Sequence, residues 1–166
     1  MNKNQIKADF LELMEKHQPI IHHICRIYAD SPENYEDMFQ EILLQLWKSF
    51  ETFKQQSKFS TWMYRVALNT AITLIRKEKN RVQSIGIDEN IEPDNGYDED
   101  IESDVKHLYQ AISQLGKIDK AIILLYLDEK SYDEISEILG ISKTNVGVRI
   151  NRAKVKLEKL LQPYFN

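Results

Sequence analysis

The sequence has little of what disulfide-rich, membrane-spanning and many-turned β proteins need. Its 166 residues include one cysteine, Cys25, which excludes an internal disulfide framework and fits a reducing compartment. Five glycines and four prolines are too few for the turns of a large β protein. The longest apolar runs, such as Ala121–Leu125, are far shorter than the roughly 20 residues of a membrane span, and the N-terminus has no apolar signal core. We therefore expect a mostly helical, cytoplasmic protein that does not insert into membranes.

Charge is divided unevenly along the chain, whose formal net charge is −4. Residues 81–104 hold nine acids and one base, Arg81, whereas the rest of the chain holds 21 bases and 17 acids. The acidic stretch also contains a proline, an Asn-Gly pair and little apolar periodicity, as linkers do. We predict two segments, residues 1–80 and 105–166, joined by an acidic linker that is a solvated spacer, a screen for the basic ends or a mimic of nucleic acid inside a larger complex. Such asymmetry indicates a nucleic-acid or charged-protein partner.

Apolar residues at helical spacing predict several helices in the first segment. The first pattern continues to Tyr28, and we expect it to break at Pro19, which would stand in the first turn of a new helix. The next helix is predicted to be capped by Asn34 and to continue to about Phe50. A third run covers roughly residues 60–79 and is predicted to leave Tyr64, Arg65, Asn69 and Arg76 near its outward side. This segment is therefore predicted to be a small helical bundle.

The second segment contains the strongest motif. Two short helices are predicted first, and Ser131 and Glu134 then form an S-x-x-E capping box at the start of another helix. Gly140 ends that helix and Ser142 can cap a final basic helix that continues to about Leu160. This order is typical of a helix-turn-helix, whose second helix fits the DNA major groove. Its outward polar residues are predicted to contact DNA: Lys143, Thr144, Asn145, Arg149, Asn151 and Arg152.

Other polar and aromatic groups allow more than one interpretation. A polar helix face with Asp37, Gln40 and Glu41 is either solvated or a docking face for a basic partner. Trp62 and Tyr64 either belong to the core or stack on unpaired bases beside the basic end of the third helix. The four histidines and the cysteine lack the spacing of a structural zinc site, and no glycine-rich loop accompanies the carboxylates. We therefore predict no metal, no cofactor and no enzymatic activity.

Three ordered motifs resemble the extracytoplasmic-function (ECF) group of sigma-70 family RNA polymerase sigma factors. Residues 34–41, NYEDMFQE, continuing to Leu46-Trp47, resemble the family's AEDLxQExFLxLW signature. Residues 59–69, FSTWMYRVALN, resemble its FxTWLYRIAxN promoter-melting segment, and residues 131–142, SYDEISEILGIS, resemble SYEEIAEILGIS of its last domain. The resemblance covers about residues 6–162 and implies two all-α domains, sigma region 2 and sigma region 4.

The resemblance also implies roles for individual residues. The face with Asp37, Gln40 and Glu41 would dock on the basic clamp helices of the polymerase β′ subunit, while apolar parts of the last domain would meet the β-subunit flap. The third helix would meet the −10 promoter element, where Asn69 would help to capture a flipped base and other residues would contact the opening strand. The −10 set is Tyr64, Arg65, Asn69, Arg76 and Lys77. The helix-turn-helix would read the −35 element, and an anti-sigma factor is a further expected partner, as in many relatives.

One departure from the family pattern affects the −35 contact. Relatives commonly have a basic residue and a serine at the positions of Gly147 and Val148, which offer no side-chain donor. We therefore expect an unusual −35 sequence or a weaker dependence on it, with base reading by Asn151 and Arg152. Two rival interpretations remain at this stage: a stand-alone helix-turn-helix regulator that binds DNA as a dimer, and an interaction protein that binds sigma-factor partners without reaching promoters.

Overall fold

The computed structural model describes residues 2–53, 57–85 and 103–165, and within these ranges the fold is all-helical, as predicted. Seven helices occur in the described ranges: α1 (Lys3–Tyr28), α2 (Pro32–Phe50), α3 (Phe59–Ile85), α4 (Ser103–Ser113), α5 (Lys117–Leu127), α6 (Tyr132–Leu139) and α7 (Lys143–Phe165). None of them is both long enough and apolar enough to cross a membrane.

Helices α1, α2 and α3 pack together as the first domain. Their core is fully buried and includes Ile21, Ile42 and Leu46. Phe53, Phe59 and Trp62 form an aromatic cluster in this bundle, and their ring centroids lie 5.1–5.8 Å apart. Cys25 is a free thiol in this core, and burial raises its pKa to about 12. The first domain is thus held mainly by apolar and aromatic packing.

The predicted break at Pro19 is wrong, because α1 is continuous through this residue. A proline inside a helix removes one backbone hydrogen bond, but it need not end the helix when packing favours both halves. Pro19 is exposed, so water can reach the carbonyl that loses its partner, while Phe10 and Met14 before it and Ile21 and Ile24 after it are all buried. Burial of the two apolar halves on one face therefore keeps α1 in one piece.

The predicted cap of α2 is also wrong. The N-cap is Ser31, whose side chain accepts a hydrogen bond from the backbone N–H of Asn34 at 3.1 Å, and Pro32 stands at the first position of the helix. Proline suits this position because its missing N–H would have had no helical partner. Asn34 lies inside the helix and its side-chain amide contacts Asp30. The predicted end of the helix at Phe50 is confirmed.

Helices α4 to α7 form the second domain, and its local signals were predicted correctly. The hydroxyl of Ser131 accepts a hydrogen bond from the backbone N–H of Glu134 at 3.1 Å, and lies 3.2 Å from its carboxylate. Gly140 ends α6 with a φ of 70°, in the left-handed region that favours glycine. Ser142 then accepts from the backbone N–H of Asn145 at 3.1 Å at the start of α7. The capped helix, glycine turn and capped helix expected of a helix-turn-helix are all present.

The predicted acidic linker falls mostly outside the described residues. Of residues 81–104, the structure describes the end of α3, which continues to Ile85, and the start of α4 at Ser103. The third predicted helix is therefore longer at its C-terminal end than the sequence pattern suggested.

Candidate nucleic-acid interface

The geometry of α6 and α7 leaves one face of α7 exposed. Ile135 and Ile138 of α6 pack with Val146 and Ile150 of α7 in the core, so these residues fix how the two helices cross. The hydroxyl of Ser136 donates to the backbone carbonyl of Ile141 at 2.5 Å and so ties the turn to α6. The opposite face of α7 contacts solvent along its length. A polar, exposed helix that follows a tight turn is the arrangement that enters a major groove.

The six residues predicted to contact DNA on α7 do not form one uniform set. Thr144, Asn151 and Arg152 are exposed and lie on the outward face of the helix. The Nζ atom of Lys143 lies 3.4 Å from a carboxylate oxygen of Asp133 in α6. The first three are therefore directly available to a groove, whereas Lys143 already has an anionic neighbour.

Arg149 lies partly inside the domain. Its guanidinium donates a 3.0 Å hydrogen bond to the carboxylate of Asp119 in α5, and both side chains are a little over one third exposed. This ion pair joins α7 to α5, which suggests a positioning role within the domain. Asn145, the sixth residue, is half-buried beside the Ser142 cap.

A second polar stripe lies on α3. Arg65, Asn69 and Arg76 recur at steps of four and seven residues, which places them on one helix face. Asn69, Arg76 and Lys77 are exposed. Asn69 therefore presents an amide that can both donate and accept along a base edge.

Tyr64 and Arg65 instead contact the second domain. The Tyr64 side chain is fully buried, and its hydroxyl donates to the carboxylate of Asp128, after the end of α5, at 2.5 Å. The guanidinium of Arg65 donates to the backbone carbonyl of Glu137 in α6 at 3.1 Å. Sequence reasoning placed both residues on the outward side of α3 and missed these contacts. No local pattern could have revealed them, because the partners lie 64 and 72 residues away.

Lys130 and Tyr28 extend the contact between the two domains. The ammonium group of Lys130 lies 5.7 Å from the centre of the Tyr64 ring and 3.4 Å from the hydroxyl of Ser60. The Tyr28 hydroxyl donates to the backbone carbonyl of Lys117 at 2.6 Å, near the start of α5. Burial raises the pKa of both tyrosines, so each hydroxyl stays protonated and remains a donor at neutral pH.

The polar face of α2 is exposed as the sequence suggested. Asp37 and Gln40 are exposed, and Glu41 is half-buried with its carboxylate held by the side-chain amide of Gln45 at 2.9 Å. Leu44 continues the same face one turn later and is 43% exposed. The predicted polar face did not include Leu44, which adds an exposed apolar group to it.

Both domains match parts of a known family. Residues 13–81 match the description "Sigma-70 region 2" and residues 106–157 match "Sigma-70, region 4". The chain is 30% identical to the ECF RNA polymerase sigma factor SigW of Bacillus subtilis, over 92% of this chain and 89% of that protein. It is 28% identical to the ECF RNA polymerase sigma-E factor of Haemophilus influenzae, over 95% of this chain and 89% of that protein.

Two solved structures have a similar fold. The sigma factor RpoE in complex with the anti-sigma factor NepR from Bartonella quintana aligns with a TM-score of 0.77 and 22% identity, over 93% of this chain and 97% of that one. CnrH in complex with the cytosolic domain of CnrY aligns with a TM-score of 0.67 and 19% identity, over 95% of this chain and 90% of that one.

Proposed function

The chain belongs to the sigma-70 family of RNA polymerase sigma factors, in its ECF group, and from this membership we propose the role of each exposed face. As an ECF sigma factor it binds core RNA polymerase, directs it to specific promoters and initiates transcription there. It is not an enzyme, because the polymerase carries out RNA synthesis. We place its action in the cytoplasm, where that polymerase works.

The face of α2 with Asp37, Gln40 and Glu41 is proposed to bind the basic clamp helices of the β′ subunit. What supports this is that two carboxylates and an amide lie on one helix face, with Asp37 and Gln40 exposed. Opposite charges steer association and fix the register of an interface. Leu44, on the same face, would add an apolar contact within the polar surface.

Charge reversal tests this docking face. Asp37→Lys combined with Glu41→Lys should abolish co-elution with core polymerase in gel filtration, because like charges would then meet. Glu12→Lys combined with Glu15→Lys is the matched control, since both residues are exposed and belong to a different helix, α1. Undiminished co-elution of the Asp37 and Glu41 variant would refute the docking face, while failure of the wild type would refute polymerase binding itself.

The stripe on α3 is proposed to meet the −10 element, with Asn69 capturing a flipped base and Arg76 and Lys77 contacting phosphates. The support is that these three side chains are exposed on or beside one helix face. Tyr64 and Arg65 belong to the same proposed set but contact Asp128 and Glu137 here. Binding of DNA by these two residues therefore requires the contacts with the second domain to break.

Promoter opening provides the test of the −10 role. Asn69→Ala should reduce the permanganate reactivity of unpaired thymines per bound complex, because a flip that costs a few kcal/mol would lose one of its compensating contacts. Asn151→Ala is the control: it should weaken binding and leave melting per bound complex unchanged. Equal melting by wild type and Asn69→Ala would contradict the proposal.

Helix α7 is proposed to enter the major groove of the −35 element. The observation that carries this proposal is its exposed polar stripe of Thr144, Asn151 and Arg152 on the helix that follows the turn. Lys143, Asn145 and Arg149 belong to the proposed DNA-contacting set, and Lys143 and Arg149 also pair with carboxylates of their own domain. A promoter whose −35 element is scrambled should bind the holoenzyme more weakly.

Two partner proteins complete the proposal. The end of α7 exposes Tyr164 and Phe165 at 54% each, which offers an apolar surface to the β-subunit flap. One of the two similar structures, that of RpoE from Bartonella quintana, is a complex of a sigma factor with an anti-sigma factor, so we propose a protein inhibitor of this kind for this chain. Affinity purification from the native host should recover polymerase subunits and such an inhibitor, and polymerase without any inhibitor would contradict the second part.

A further inference from the structure

The outward face of α7 has an apolar side chain at its centre. Val146, Ile150, Ala153 and Leu157 turn inward and are buried. On the opposite face, four exposed residues recur at helical spacing, and we call them the outward stripe: Thr144, Val148, Asn151 and Arg152. Val148 is 41% exposed and does not belong to the buried core of the domain. A valine therefore lies among polar groups where a groove-binding helix would touch DNA.

The position of Val148 along the helix places it where bases are read. Helix α7 begins at Lys143, so Val148 lies within its first two turns. The N-terminal residues of a recognition helix contact base edges, whereas later residues leave the groove. Val155, which is also exposed, lies seven residues further on, about 10 Å along the helix axis. Val148 is the better placed of the two valines to touch a base.

The residues beside Val148 leave it room to approach a base. Arg149 is held by Asp119 at 3.0 Å, so its guanidinium points back toward α5. Gly147 has no side chain, and a Cβ atom there would meet the ring of Tyr132 at 3.5 Å. Gly147 and Arg149 thus do not crowd Val148, and its neighbours on the outward stripe are Thr144, Asn151 and Arg152, of which Arg152 has the long side chain.

Thymine is the base that an apolar side chain distinguishes in the major groove. Only the thymine edge carries a methyl group there, and small apolar side chains contact it. Six basic residues and one acidic residue lie between Ile141 and Leu160 and make the charge of α7 complementary to that of DNA. Burial of Val148 against DNA is therefore compatible with the charge of the helix. We propose that Val148 is a specificity-determining residue that selects thymine at one position of the −35 element by contact with its 5-methyl group. This inference rests on the proposed entry of α7 into the −35 major groove.

Replacement of thymine by deoxyuridine tests the contact, because it removes only the methyl group. The promoter is first identified by mapping the 5′ ends of transcripts made from host genomic DNA by core polymerase and this chain. Each thymine of the −35 element, on either strand, is then replaced singly, and binding of the holoenzyme is measured. For the wild type we expect about a fourfold loss at one position, as for exposure of one methyl group. With Val148→Ala, the loss at that position should vanish.

Control variants distinguish failure of the Val148 contact from failure of the proposed entry of α7 into the −35 major groove, on which the contact rests. Val155→Ala should keep the wild-type response to deoxyuridine, which excludes a general effect of shortening a valine on α7. Val148→Ile should retain the response, because it keeps the branched apolar group. An element without a thymine, or a deoxyuridine response that is the same with alanine at position 148, would overturn the role of Val148. Indifference to scrambling of the whole −35 element would instead overturn the proposed role of α7.

Discussion

The hydrogen bond between Tyr64 and Asp128 makes a quantitative prediction about the contact between the two domains. Tyr64 is fully buried, and its hydroxyl donates to the Asp128 carboxylate at 2.5 Å. Asp128→Ala would leave that buried hydroxyl without its acceptor as long as the domains stay together. An unsatisfied buried donor costs about 1–3 kcal/mol, and separation of the domains would return the hydroxyl to water. We therefore expect Asp128→Ala to shift the equilibrium toward separated domains by about 5- to 150-fold.

Distance measurement between the domains provides the assay. Spin labels on Glu12→Cys in α1 and Glu158→Cys in α7 report the separation by electron–electron resonance, since both positions are exposed. Cys25 should stay unlabelled near neutral pH, because it is buried and its pKa is raised to about 12. The population at short distance should fall in Asp128→Ala. An unchanged short-distance population in Asp128→Ala, compared with the labelled chain that keeps Asp128, would show that the Tyr64–Asp128 hydrogen bond does not hold the two domains together.

A second variant distinguishes loss of the bond from damage to the fold. Tyr64→Phe removes the donor instead of the acceptor, so no buried hydroxyl is left unsatisfied. Adding Asp128→Ala to Tyr64→Phe should then shift the equilibrium much less than Asp128→Ala does alone. Equal shifts in the two backgrounds would mean that Asp128 acts through something other than the Tyr64 hydroxyl.

Three further outcomes follow from single residues. Gly140→Ala should lower the free energy of unfolding by about 1 kcal/mol, because Gly140 has a φ of 70°. Gly147→Ala should raise the free energy of unfolding by a similar amount, because alanine has the higher helix propensity. Urea titration checks both variants, and a lower free energy of unfolding in both would refute the distinction. Burial lowers the pKa of His23 below 6.5, so the unfolded chain takes up the proton first as pH falls. The free energy of unfolding should therefore drop from pH 7.5 to pH values below 6.5, and urea titrations should show a smaller drop in His23→Gln. Arg152→Ala should cost about 1–3 kcal/mol in DNA binding at one base position of the −35 element, while a uniform loss across all −35 variants would mark a phosphate contact.

The second domain could be predicted well because its signals are local. A capping box needs only Ser131 and Glu134, and the left-handed turn needs only Gly140, so the sequence carries each signal within a few residues. Such a pattern fixes where helices start and stop and which face turns inward. The helix bounds of the helix-turn-helix were therefore predicted well, whereas two of the six residues predicted to face outward on α7, Asn145 and Arg149, are half-buried.

The errors arose where packing competes with a local preference. Pro19 disfavours a helix, yet the apolar residues on both sides of it share one buried face and keep α1 continuous. At α2, the proline at the first helical position favours a cap at Ser31 over the predicted cap at Asn34. The sequence held the information needed for the second case, whereas the first depends on the rest of the bundle.

The contacts of Tyr64 and Arg65 lay beyond the reach of sequence patterns. Helical spacing correctly placed Asn69 and Arg76 on an exposed face, but it could not show that Asp128, which follows α5, and Glu137 of α6 contact the start of the same helix. Apolar periodicity within one helix cannot distinguish a polar surface that another domain covers from a surface that is exposed to solvent. The proposed −10 set is therefore part exposed and part held in the domain contact.

Transcription of host genomic DNA shows whether this chain directs core polymerase to promoters. Core RNA polymerase is incubated with the genome, with and without this chain, and the 5′ ends of the transcripts are sequenced. We expect discrete start sites that appear only with the chain and that share one −10 and one −35 sequence. The Asp37→Lys and Glu41→Lys variant should produce none of them. Identical start sites with and without the wild-type chain would contradict the assignment of this protein as a promoter-directing sigma factor.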